Sequence, residues 1–203
     1  MNLRDLILDD PTTLADIAAA LDALTHEARW SALRELGRSE QRRLYVKAAG
    51  APALAPDHFV PAGVPALKPV RHLGRNTLPL PGSHKFFSKV FCRPEDGTNR
   101  AFGFNDAPSR WLIGPGYFVA IPTQGHPRWE LRGGVVIDYF QVPDGRVPAD
   151  WPTVIPNTKR LQRYVYDGTR DYMRGVSRHV SIGAAYKGED PLDHYFVLCR
   201  QDA

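Results

Sequence analysis

Only two cysteines, Cys92 and Cys199, stand in 203 residues, and they are far apart in the chain. That excludes a framework of several disulfides. Two thiols suit a reducing compartment as well as one bridge would suit a secreted chain. No Cys-x-x-Cys and no His-Glu-x-x-His occurs. The histidines (His26, His58, His72, His84, His126, His179, His194) are scattered. A structural zinc site wants ligands clustered at short spacing, so no metal and no cofactor is expected. A site assembled in space by His179 and His194, on strands expected to pair, is the one exception left open.

Long apolar runs are also missing. None approaches the roughly 20 residues a membrane-spanning helix needs. The opening MNLRDLILDDPTT is too short and too acidic for a signal-peptide core. The expected location is the cytoplasm, with no membrane partner.

Nucleotide and nucleophile signatures are absent as well. Gly114-Pro115-Gly116 has Val119 where a dinucleotide loop would place its third glycine, and a strand follows instead of a helix. There is no Walker-type lysine loop and no Gly-x-Ser-x-Gly. Cys199 lies in an apolar terminal stretch, where a lone cysteine is core material.

What is present is ordinary globular composition. At 43% hydrophobic and 24% charged, a chain this long can bury roughly 70% of its unfolded surface and needs no covalent staple. The net charge is +4, unevenly spread. Residues 1–50 carry seven Lys/Arg against eight Asp/Glu. Residues 157–178 carry Lys159, Arg160, Arg163, Arg170, Arg174 and Arg178 against Asp167 and Asp171. That patch, with the basic third helix, allows a nucleic acid or another anionic partner. A neutral head lacks the footprint that phosphate contacts demand, so nucleic acid is not favoured.

Residues 1–50 read as a head of three short helices. Thr13 with Asp16 resembles a capping box, after which Leu14, Ile17, Ala18 and Leu21 share a face. Thr25 caps a second helix bearing Trp30, Leu33 and Leu36, with Gly37 at its C-terminal end. Ser39 caps a third, through Leu44, Tyr45 and Ala48 to Gly50, which presents Arg38, Arg42, Arg43 and Lys47.

Residues 51–84 hold seven prolines (Pro52, Pro56, Pro61, Pro65, Pro69, Pro79, Pro81), which oppose a long helix or a central strand. Their apolar companions, Phe59 to Leu80, make an extended strap along the body and not a free linker.

From residue 85 the period becomes two. KFFSKVFCR and NRAFGFN read as a hairpin, WLIGPGYFVAI as a kinked strand, and GGVVIDYFQV as a central strand with both faces apolar. Residues 161–166 read as strand and Thr169 to Val176 as a short helix. HVSIGAAY and HYFVLCR form a closing hairpin. The fold class is therefore α+β. A short-helix head and a proline-rich strap precede a body (85–203) of mostly antiparallel bent sheet or small β-barrel, with one short helix near the C-terminus.

The candidate site comes from the closing strands. His179, Ser181, Gly183 and Ala185 share a small, polar face that something can approach closely. Asp138, on an apolar strand, needs a partner such as Arg110, Arg132 or His179. With the aromatic density of the body, this points to a small, mostly apolar ligand held by Ser181, Gly183, Tyr117, Tyr139 and Arg110. The alternative is an enzyme working by acid–base chemistry through His179, Asp138 and Tyr195 or Tyr139, provided those groups converge. Oligomeric state is not legible.

Overall fold

The structure, a computed structural model, describes residues 2–79 and 82–202; Leu80 and Pro81 of the strap lie outside it. Capping chemistry opens the chain. Thr13 and Asp16 exchange side-chain and backbone hydrogen bonds at the start of α2 (Leu14–Asp22), and Thr25 caps α3 (His26–Leu33). Asn2 likewise caps α1 (Leu3–Leu8), so the head has four helices, not three. The last, α4 (Arg38–Lys47), takes Gly37 as its N-cap. Gly37 thus starts a helix instead of closing one, and Ser39 lies inside α4.

Eight antiparallel strands follow: β1 (Val70–Asn76), β2 (Phe86–Cys92), β3 (Ala101–Asp106), β4 (Phe118–Pro122), β5 (Val135–Asp138), β6 (Thr169–Gly175), β7 (Val180–Lys187) and β8 (Asp190–Arg200). Each pairs with its neighbours in sequence, and β8 returns to β1, closing a barrel without edges. Two short helices, α5 (Arg110–Ile113) and α6 (Pro127–Glu130), fill the β3–β4 and β4–β5 connections.

Three local expectations are corrected. Thr169 to Gly175 is strand β6, because β5 and β7 on either side supply partners for its backbone and Asp171 and Met173 gain an interior to face. The preceding stretch is not strand but a 3-10 turn, Leu161–Tyr164. The proline-rich segment also contributes a fully paired strand, since β1 lies wholly between Pro69 and Pro79.

Period-two alternation then sorts the side chains into a lumen and a wall. His72, Lys89, Phe91, Asn105, Phe118, Ile137, Asp171, Met173, Phe196 and Leu198 follow the inward register. Their outward neighbours Val180, Ile182, Val197 and Cys199 form one core with Ile17, Leu21, Leu33 and Leu44 of the head. The head therefore covers the β7–β8 wall. On the opposite side, Trp151 and the loop around it bury the outer face of β2–β4.

Inside, Gly74, Gly103 and Gly183 lie opposite Phe87, Phe118 and Phe196 on the adjacent strands, and each ring occupies the space a Cβ would need. The three glycines let bulky rings lie flat in a narrow lumen. One end of the barrel is stoppered by the strap. Phe59, fully buried, stacks on Phe91 with ring centroids 4.8 Å apart, and its carbonyl oxygen is 3.0 Å from His72 Nε2.

Candidate functional site

With Phe59 closing one end, the lumen opens at the other. There a cavity of about 230 Å³ is walled by Leu78, Phe87, Ile113, Val165, Leu192 and Phe196, with His84 and His194 among its polar lining. That is room for several waters or one small organic molecule. An eight-stranded barrel has an interior of the size that either fills with side chains or keeps one such space.

Polar groups converge in that cavity. Lys89 enters from β2, Asn105 from β3, Tyr139 from the residue after β5 and Asp171 from β6. Lys89 Nζ donates to Asn105 Oδ1 (2.9 Å), to Asp171 Oδ2 (3.2 Å) and to the Tyr139 hydroxyl. Tyr139 in turn donates to Asp171 Oδ2 at 3.2 Å. Asn105 Nδ2 is tied to the Gly116 carbonyl (2.9 Å) and to the Tyr139 hydroxyl oxygen (3.1 Å). All four residues are buried.

The ammonium is also boxed by rings. Phe196, Phe118, Tyr139 and Phe87 have centroids 5.0 to 5.6 Å from Nζ, close enough for cation–π attraction. Burial lowers the Lys89 pKa against the opposing pull of Asp171, and burial raises that of Asp171 against the pull of Lys89. Burial thus disfavours the charged form of each group, while their mutual attraction favours it. Tyr139 is pushed well above the ordinary phenol range by burial and by the Asp171 carboxylate.

Of the residues singled out from sequence, Tyr139 alone enters this quartet. Ser181 and Gly183 face the lumen, as their shared face requires, but neither borders the cavity. Gly183 is occupied by Phe196 and Met173, which supplies the close approach its small size implied. Asp138 points outward and is served by Arg170 (3.3 Å), Gln141 Nε2 (3.0 Å) and the Phe140 amide (3.1 Å). Its partner is thus none of Arg110, Arg132 or His179. Arg110 pairs with Asp106 outside the barrel (3.0 Å), and the Tyr117 hydroxyl donates to the Pro152 carbonyl on the outer wall. The Tyr195 ring packs on Tyr45 of the head (centroids 5.6 Å), although the residue borders the mouth.

His179 precedes β7 at the stoppered end, 3.0 Å from Asp202, while His194 lines the mouth. The two histidines therefore stand at opposite ends of the barrel. His179, Asp138 and Tyr195 do not converge, and acid–base chemistry through that trio is corrected on geometry. Cys199, its thiol pushed up to about 11 by burial, is walled under the head. Among the described residues, no group of three or more His, Cys, Asp or Glu stands close enough to hold a metal ion.

Lys89 and Asp171 differ in how legible they are in the sequence. Lys89 lies between Phe87 and Phe91 on one face of KFFSKVFCR, a strand apolar on both faces, and that pattern is a signal for it. Asp171 carries no such signal, because the pattern of its segment suits a helix as well as a strand.

Two of the six basic residues in 157–178, and several on α4, are engaged within the molecule. Arg174 donates to the carbonyls of Tyr45, Leu131 and Arg132, and Arg170 serves Asp138. On α4, Arg38 pairs with Asp193 and Arg43 with Asp10. A larger groove of about 500 Å³ runs beside Ala48–Ala55 and Gly133–Gly134, where small residues share the lining with Asn99, Gln124, Glu130 and Arg174. No helix among the described residues is long and apolar enough to cross a membrane. No family model, no curated protein and no solved structure matches the chain.

Proposed function

We propose that the barrel binds a small, mostly apolar molecule, which enters by the open mouth and sets its one polar group on the Lys89–Asp171–Tyr139–Asn105 quartet. The observation that carries this reading is the pairing of apolar walls with a hydrogen-bonded polar cluster in one cavity. Walls of Leu78, Ile113, Val165 and Phe196 favour a hydrocarbon portion by burial. A few fixed polar groups then select what the ligand carries at its inner end, the usual division of labour in a small-molecule site. Asp171 Oδ2 already accepts from Lys89 and Tyr139, while Oδ1 takes no hydrogen bond from the described residues. A ligand hydroxyl has that acceptor to address.

The test is titration with 1-hexanol, an apolar chain with one hydroxyl, followed by amide NMR. Saturable shifts at Ile113, Thr169, Asp171 and Ala185, which line the cavity, are expected. Shifts that do not saturate, or that fall elsewhere, would overturn the reading.

A further inference from the structure

We propose that Lys89 is a carbonyl-capturing amine: it forms an imine with a small aliphatic aldehyde or ketone held in the barrel cavity. The inference rests on the binding reading above and names the chemical class that this site would take covalently.

Three placements support it. The amine belongs to the cavity lining, among rings instead of in bulk water. A desolvated lysine in an apolar pocket is the form in which this side chain acts as a nucleophile. Next, a carboxylate, Asp171 Oδ2, lies 3.2 Å from Nζ and can take the proton that must leave before the nitrogen has a free pair. Third, the Tyr139 hydroxyl touches both groups, so protons can pass between amine and carboxylate along a second route. None of the exposed lysines Lys68, Lys159 and Lys187 shares such a setting.

The step balances. A proton moves from the Lys89 ammonium to Asp171. The nitrogen pair attacks the carbonyl carbon, a C–N bond forms, and the carbonyl oxygen takes the proton held by Asp171. The nitrogen of this carbinolamine returns a proton through Asp171 and Tyr139 to the new hydroxyl. The C–O bond then breaks and water leaves by the mouth. The product is a protonated imine whose positive charge replaces that of the ammonium and keeps Asp171 as its counter-ion. Nothing is oxidised or reduced.

The buried pair has a plainer possible use, as a fixed polar tie across the lumen, and the experiment separates the two. The folded protein is treated with limiting hexanal and cyanoborohydride, which reduces an imine to a stable secondary amine, and the lysines are mapped by peptide mass. Alkylation of Lys89 at least tenfold faster than that of Lys68, Lys159 and Lys187, and slowed selectively by 1-hexanol, is expected. Lys89→Arg, which keeps the charge but cannot form an imine, should lose the fast site and keep the slow ones. If the exposed lysines react while Lys89 stays unmodified until urea is added, the proposal is overturned. Hexanol shifts in that same sample would leave the binding reading standing, whereas their absence would remove both.

Discussion

Lys89 and Asp171, 82 positions apart in the chain, meet across the barrel lumen with Nζ 3.2 Å from Oδ2 and almost no exposure to solvent. Two charges buried in this way are costly to desolvate. Losing one partner is much worse than losing both.

That asymmetry gives the first expectation. Lys89→Met should destabilise the protein by about 3–5 kcal/mol, since Asp171 is left without its counter-charge. Lys89→Met combined with Asp171→Leu should recover most of the loss, because Asn105 and Tyr139 can still bond to each other. Urea unfolding of the two singles and the double measures the coupling. A double variant as unstable as the sum of the singles would contradict the account.

The stoppered end sets the response to acid. His72 is fully buried and His58 partly so, and desolvation of their rings holds both near a pKa of about 3. Unfolded, each would titrate near 6.5, so between roughly pH 6.5 and 3 the unfolded chain binds more protons than the folded one. Stability should therefore fall as pH drops through that window, by up to about 1.4 kcal/mol per pH unit for each histidine. His72→Gln can still donate to the Phe59 carbonyl and should remove one histidine's share of the slope. Denaturant midpoints at pH 7, 6, 5 and 4 test this, and an unchanged slope would remove His72 as a cause.

Gly183 links packing to the cavity. A Cβ there would strike the Phe196 ring and come within 2.7 Å of Met173 Sδ. Phe196 also lines the cavity. Gly183→Ala should cost about 1–3 kcal/mol by overpacking, and it should weaken hexanol binding by pushing Phe196 into the ligand's space. Equal affinity in the two proteins would show that the ring does not bound the site.

The head shares its core with the wall formed by β7 and β8. We expect helix loss and barrel unfolding to coincide in one cooperative transition, by far-UV circular dichroism and by tryptophan fluorescence. Removing residues 1–50 would uncover Val180, Ile182, Val197 and Cys199, so the remainder should aggregate or bind apolar dyes. Two separate transitions in the full chain would speak against a shared core.

Part of this was legible in the chain. The capping box at Thr13 and Asp16 depends on residues three apart, and the two faces of residues 180–185 depend on strict alternation. Both are local, so both could be read directly. Segment 169–176 could not, because its pattern of charged and apolar residues suits a helix as well as a strand, and only the pairing offered by β5 and β7 decides for strand.

The sequence by itself thus determined the helical head, the run of antiparallel strands and the sorting of many side chains onto opposite faces, all from periodicities within a few residues. Closure of β8 onto β1, the stopper at Phe59 and the meeting of Lys89, Asn105, Tyr139 and Asp171 were decided only in three dimensions. Those four residues come from separate parts of the chain. A polar cluster of that kind leaves no spacing to read, because only the curvature and register of the closed sheet bring its members within hydrogen-bonding distance.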